Sequence, residues 1–202
     1  EGGNGPSAQG ILGVSAGNSP VGVQGIDFQY PWEPTPRRSH DHSLKVDAFY
    51  IDKYPVTCAD YESFVSSKGF KPRDPTNWLK NWREGPLGKR TPPVGWAKKP
   101  VTYVSVSDAR AYCAAFGKRL PHSWEWQYAA RGSLDDTKKV YPWGYRDDAS
   151  RHPKLESGYY VKEAADVDEY APHGESAFGM GPCDLGPGAF FSRLSATRAR
   201  AA

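Results

Sequence analysis

Residues 70–99 hold five prolines and three tryptophans, and little periodicity of either two or 3.6 runs through them. Each proline fixes φ and removes a backbone donor, so neither a helix nor a central strand can occupy much of this stretch. A loop this long inside a compact domain is either functional or packed down by its own aromatic side chains. Here Trp78, Trp82 and Trp96 supply the rings. The same balance extends over the whole chain, with 18 Pro and 21 Gly among 202 residues and an aromatic share of 13%. Rings held among so many turn residues argue against a helical bundle or a regular parallel sheet, and predict an irregular, loop-rich α+β fold. The length suits one domain.

Around that loop, shorter patterns predict elements. Residues 1–25 are rich in Gly, Ser, Ala and Pro and read as a flexible arm with a short strand at 11–14. Order is expected to begin near Ile26. "SLKVDAFYIDKYPVT" alternates over Leu44, Val46, Ala48 and Tyr50, which predicts a strand ended by Pro55. Phe49 and Ile51 make its other side apolar, so it is expected to be covered on both faces. Thr57 then caps a helix, "CADYESFVSSKG", with Asp60 in a capping-box position, Tyr61, Phe64 and Val65 as the apolar stripe, and Gly69 as the stop. "PVTYVSV" at 100–106 predicts another strand, after which Ser107 caps "DARAYCAAFG", closed by Gly117.

The most crowded stretch is "KRLPHSWEWQYAARG", residues 118–132. Pro121 disfavours helix at Leu120, His122 or Ser123 caps, and Glu125 is placed to reach back to the free amides of the first turn. Trp124 and Tyr128 stand four apart on one face, Ala129 and Ala130 permit close approach, and Gly132 ends the helix. "VYPWG" at 140–144 reads as an aromatic turn, followed by a polar, irregular segment.

A net charge of +3 with basic residues interspersed among acidic ones gives no nucleic-acid footprint, so no nucleic-acid partner is expected. No apolar run approaches the length that spans a bilayer, and no membrane partner is expected either. Three cysteines, Cys58, Cys113 and Cys183, form no metal spacing and no even disulfide set, which fits a reduced compartment. The chain opens on Glu1, so its N-terminus reads as incomplete and no localisation is assigned.

The order of the pieces carries a resemblance. "AFYIDKYPVTCADYESFV", then "PVTYVSVSDARAYCAAFGKRLPHSWEWQYAARG", then "YPWG" resemble the sulfatase-modifying-factor family. That family contains the formylglycine-generating enzymes and related domains of ergothioneine-type synthases. The resemblance covers residues 26–179. It implies a C-type-lectin-like fold with little regular secondary structure. It also implies an oxidoreductase generating formylglycine on a sulfatase-type cysteine, or the substrate domain of a thiol-metabolite synthase. The implied partner is a cysteine-bearing peptide or a small thiol-related substrate. Family members use copper and calcium, neither of which is assignable here. In the formylglycine-generating branch the copper is held by two cysteines in a C-terminal portion to which none of the three cysteines here corresponds.

Two departures stand out. Cys58 occupies a position where the family commonly has Asn. After "ESAFG" at 175–179 the family pattern stops, and residues 180–202 read as an aberrant tail beyond a partial domain. The expectation is a break in frame or splicing near Gly179, with the true continuation absent from the chain.

Few residues are left for chemistry, and no catalytic or cofactor-binding residue is assigned. Cys113 is expected to be a buried, inert thiol. Cys58 sits at a helix start, where a thiol pKa can fall, but it is isolated. His40 and His42 are the metal candidates: two apart on an extended segment, they project to the same side and can share an ion with a carboxylate. Against this stands a plain surface pair beside Arg37 and Arg38, since no third ligand can be named. His122 and Glu125 form a nominal acid/base pair, although capping explains both. Trp78, Trp82 and Trp96 either stack on a sugar or peptide or form the core itself. Asp135, Asp136, Asp147 and Asp148 match no calcium-ligand spacing. The alternative function is a non-catalytic C-type-lectin-like binding module that uses its aromatic loops.

Overall fold

The computed structural model describes residues 10–21, 42–131, 150–151, 165–169, 171, 173, 176 and 197–199. Over these the chain mixes short strands and helices with long irregular stretches. In order they are β1 (Ile11–Val14), β2 (Gly17–Val21), β3 (His42–Val46), β4 (Phe49–Asp52), α1 (Cys58–Lys68), β5 (Arg83–Glu84), β6 (Arg90–Thr91), α2 (Val106–Ala115), α3 (Ser123–Arg131) and β7 (Thr197–Ala199). β4 is the centre of a sheet with β1 on one side and β7 on the other, both antiparallel to it. β2 pairs antiparallel with β3, and β5 with β6.

The strand at 11–14 is present, and Val14 lies opposite Phe49 with both side chains 2% exposed. Order, expected near Ile26, is already established at Ile11. Of the tail after Gly179, the described residues Thr197–Ala199 pair with β4.

The single strand expected over 43–57 is two. β3 buries Val46 and leaves Leu44 exposed, whereas β4 buries Phe49 and Ile51 rather than Ala48 and Tyr50. The break at Asp47 and Ala48 moves the inward set by one position, and with a side-chain period of two that exchanges the faces. β3 is thereby free to pair with β2 while β4 pairs with β1. The strand stops at Asp52, short of Pro55.

Capping residues start α1 and α2. Thr57 Oγ1 accepts the Asp60 N–H at 3.2 Å and donates to Asp60 Oδ2 at 2.6 Å, and Gly69 closes α1 with φ 58°. Glycine adopts that conformation more readily than residues with a Cβ. α2 is capped by Ser105 rather than Ser107. Ser105 Oγ accepts the Asp108 N–H while Asp108 Oδ2 accepts the Ser105 N–H, a reciprocal box that Ser107 cannot form because its third neighbour is Arg110.

The strand expected at 100–106 does not form. Pro100 makes an isolated bridge to Thr57, and Tyr103 turns the backbone out of the extended region with φ 57°. The Tyr103 carbonyl instead accepts the Leu79 N–H at 2.8 Å, tying this segment to the proline-rich loop.

Two apolar clusters follow. The first gathers α1, α2 and the loop around Tyr61, Phe64, Leu79, Trp82 and Tyr112. Tyr61 stacks on Tyr112 at 5.7 Å and meets Trp82 edge-on at 6.4 Å. The second packs Val14, Val46, Phe49 and Ile51 against Tyr128, Ala129 and Ala130 of α3. The small residues allow the close approach their size predicts, and a Cβ at Gly17 would overlap the Tyr128 hydroxyl. A largely buried ion pair, Lys118 Nζ to Asp52 Oδ1 at 2.6 Å, joins the turn after α2 to β4. Farther along, the Ser176 hydroxyl donates to the Ala129 carbonyl at 2.7 Å, and Val167 N–H to the Lys98 carbonyl at 3.0 Å.

Candidate functional site

The start of α3 concentrates charge and rings. Pro121 disfavours helix at Leu120, and His122 directly precedes Ser123, the first residue of α3. Glu125, three residues on, is 7% exposed. Its Oε2 accepts the His122 backbone N–H at 2.7 Å, the reach-back anticipated from the spacing. The sequence reading missed its second partner: Arg119 grips both carboxylate oxygens, at 2.7 and 2.6 Å. A buried Glu demands a cation, and Arg119 on the far side of Pro121 is in reach because the proline holds the intervening backbone out of the helix.

These contacts decide the chemistry of Glu125. Burial pushes its carboxyl up, but the Arg119 guanidinium and the His122 amide outweigh that, leaving the net shift downward. The carboxylate is held ionised with three donors upon it. His122 meets it through the backbone, while the imidazole stacks on Trp124 at 4.4 Å and 4°. Trp124 is 40% exposed and Tyr128 only 2%, so the two do not share a buried stripe. The geometry is that of a fastened helix start and not of an acid/base pair.

The two described thiols are closed off. Cys58 and Cys113 are 1% and 0% exposed. Burial pushes the Cys58 thiol up to about 11, against the opposing effect of the Trp82 indole N–H, and it pushes Cys113 to about 11 as well. The helix-start position of Cys58 therefore does not yield a thiolate, because desolvation outweighs the helix end. Protonated, enclosed thiols do not fit a copper-binding pair.

His42 opens β3 opposite Val21, while His40 lies outside the described residues. Among the described residues, no group of three His, Cys, Asp or Glu is arranged to hold a metal ion. Cys183, Asp135, Asp136, Asp147 and Asp148 also fall outside them. Trp82 is buried in the first cluster, with Trp78 and Trp96 half-buried against it. The Trp78 indole N–H lies 3.5 Å from the Tyr61 hydroxyl. The rings of the long loop form core. No described helix is long and apolar enough to cross a membrane.

With this geometry in view, comparison with known proteins is informative. Residues 5–182 match the sulfatase-modifying factor enzyme 1-like domain. The chain is 32% identical over 165 residues to the formylglycine-generating enzyme of Mus musculus, covering 66% of this chain and 42% of that protein. It is 28% identical over 189 residues to the hercynine oxygenase of Mycobacterium tuberculosis, covering 84% and 40%. The structure of PvdO from Pseudomonas aeruginosa superposes with a TM-score of 0.56 at 18% identity, covering 84% of this chain and 65% of that one, which shows a shared fold alone. The chain thus spans less than half the length of either curated relative. The motifs on α1, α2 and α3 all lie inside the matched residues, and this chain belongs to the sulfatase-modifying factor enzyme 1-like domain family.

Proposed function

We propose that these residues form the fold-bearing part of an oxidoreductase with a C-type-lectin-like arrangement. Its substrate is a cysteine side chain in a peptide, converted to an aldehyde, or a small thiol-related metabolite. The observation that carries this reading is the family match over residues 5–182, with relatives named as a formylglycine-generating enzyme and an oxygenase. The enclosed thiols Cys58 and Cys113 support a scaffold role for this part, with the reacting groups elsewhere. Because the reacting groups are proposed to lie outside the described residues, the test reads binding and not turnover: fluorescence anisotropy with a cysteine-bearing peptide, the same peptide with serine in place of cysteine, and a small thiol as competitor. Saturable binding that needs the thiol, unchanged by Cys58→Ala and Cys113→Ala, is expected, and no binding, or binding that ignores the thiol, would overturn the reading.

A second reading, a non-catalytic binding module, has support from Tyr103. Its ring is 47% exposed, with Lys80 Nζ 6.0 Å from its centre, so an aromatic platform beside a cation stands on the loop side. Binding of a glycan or peptide lost in Tyr103→Ala, without turnover of either substrate class, would favour it.

A further inference from the structure

Leu87 breaks two local rules at once. It sits at the tip of the β5–β6 hairpin, fixed by Arg83 opposite Thr91, Glu84 opposite Arg90, and Gly85 N–H donating to the Lys89 carbonyl at 2.7 Å. Its φ is 59°, a left-handed conformation that favours Gly or Asn. Its relative exposure is 106%, so folding gives this side chain no cover. A lone exposed leucine is ordinary on a protein surface. A leucine held in a strained conformation with no packing in return is not, and such residues cluster where a protein meets a ligand.

The surroundings suggest what it meets. Val94 stands at the tip of the next turn, 84% exposed ahead of Gly95, with Trp96 N–H donating to the Pro93 carbonyl at 3.1 Å. Residues 70–99 carry eight Lys and Arg against Asp74 and Glu84, a net of +6 in a chain whose total is +3. Lys71, Arg73, Lys80, Arg83 and Lys89 are all exposed. Arg90, Lys98 and Lys99 are ion-paired with Glu84, Asp168 and Asp166, so the basic character of this loop rests on those five exposed residues.

We propose that this loop docks on an anionic lipid surface, with the Leu87 tip entering the headgroup boundary and Arg83 and Lys89 meeting lipid phosphates and carboxylates. Leu87 is a convex tip that stands fully exposed among the described residues. A protein partner would have to supply a matching pocket, whereas a bilayer accommodates an isolated apolar side chain without one. The absence of a membrane-spanning run has no bearing on contact of this kind, which needs only apolar tips and positive charge.

The test is co-sedimentation of the full chain with phosphatidylcholine vesicles, with and without phosphatidylserine, at low and high salt. Binding only to the phosphatidylserine vesicles, weakened by salt, is expected. Leu87→Gly should weaken it about tenfold, and Arg83→Gln or Lys89→Gln about fivefold each. Leu87→Gly relieves the backbone strain, so its melting temperature should hold or rise, which separates lost binding from lost folding. Equal binding to neutral vesicles, no binding to either, or unchanged binding of Leu87→Gly would overturn the proposal. So would retention on immobilised polyglutamate without vesicle binding, which would point to an acidic protein partner.

Discussion

Replacing Glu125 by Ala removes the acceptor that fastens the start of α3. Two contributions are lost. The cap to the His122 N–H is worth about 1 kcal/mol. The ion pair with Arg119 falls between two regimes: its carboxylate end is only 9% exposed, but its guanidinium end is 41% exposed and can rehydrate. The 3–5 kcal/mol typical of breaking a fully buried pair therefore does not apply, and roughly 1–2 kcal/mol does. The loss should total about 2–3 kcal/mol at neutral pH, read by urea denaturation followed through tryptophan fluorescence. The folded carboxyl titrates below its ordinary value, so its stabilisation is present in full above the unfolded pKa of about 4.3 and is lost as pH falls through the folded pKa. The gap between wild type and Glu125→Ala should narrow accordingly in acid. A loss under about 0.5 kcal/mol at neutral pH, the level of an ordinary surface substitution, would refute the fastening role.

Other perturbations probe the joints between the clusters. Lys118→Met removes the ion pair to the Asp52 carboxylate, whose side chain is 12% exposed, and should cost about 1–3 kcal/mol, with Asp52→Asn in the same chain recovering part of it. Gly17→Ala drives a methyl into the Tyr128 hydroxyl and should cost about 1–3 kcal/mol, with Tyr128→Phe as partial rescue. Ser105→Ala should cost about 1 kcal/mol and Ser107→Ala much less, because Ser105 holds the capping box of α2.

Local chemistry made much of this fold legible. Thr57, Gly69, Gly117 and the reach of Glu125 are spacing rules confined to a few residues, and sequence carries such rules directly. Tyr103 shows where they end. "PVTYVSV" alternates like a strand, yet its hydrogen bonds go to Leu79 and Val56, far away in the chain. Period two reports which side chains are apolar and not whether a partner strand exists. Asp47 and Ala48 are a similar case, since a break that exchanges faces leaves both halves alternating. Cys58 marks the limit for chemistry: its helix-start position is visible in sequence, whereas the burial that overrides it comes from its place in the first apolar cluster, which tertiary packing assembles. Arg119 was hidden because its pairing with Glu125 runs across a proline turn and not along a helix face.

The proposal that this part of the chain is scaffold is tested most directly by thiol accessibility. The native protein is treated with iodoacetamide at neutral pH, with and without denaturant, and labelled cysteines are mapped by mass spectrometry. Cys58 and Cys113 should stay unlabelled in the native protein and become labelled only on unfolding, because both are enclosed and protonated. Rapid, stoichiometric labelling of Cys58 in the folded state would contradict the account and return the redox chemistry to α1.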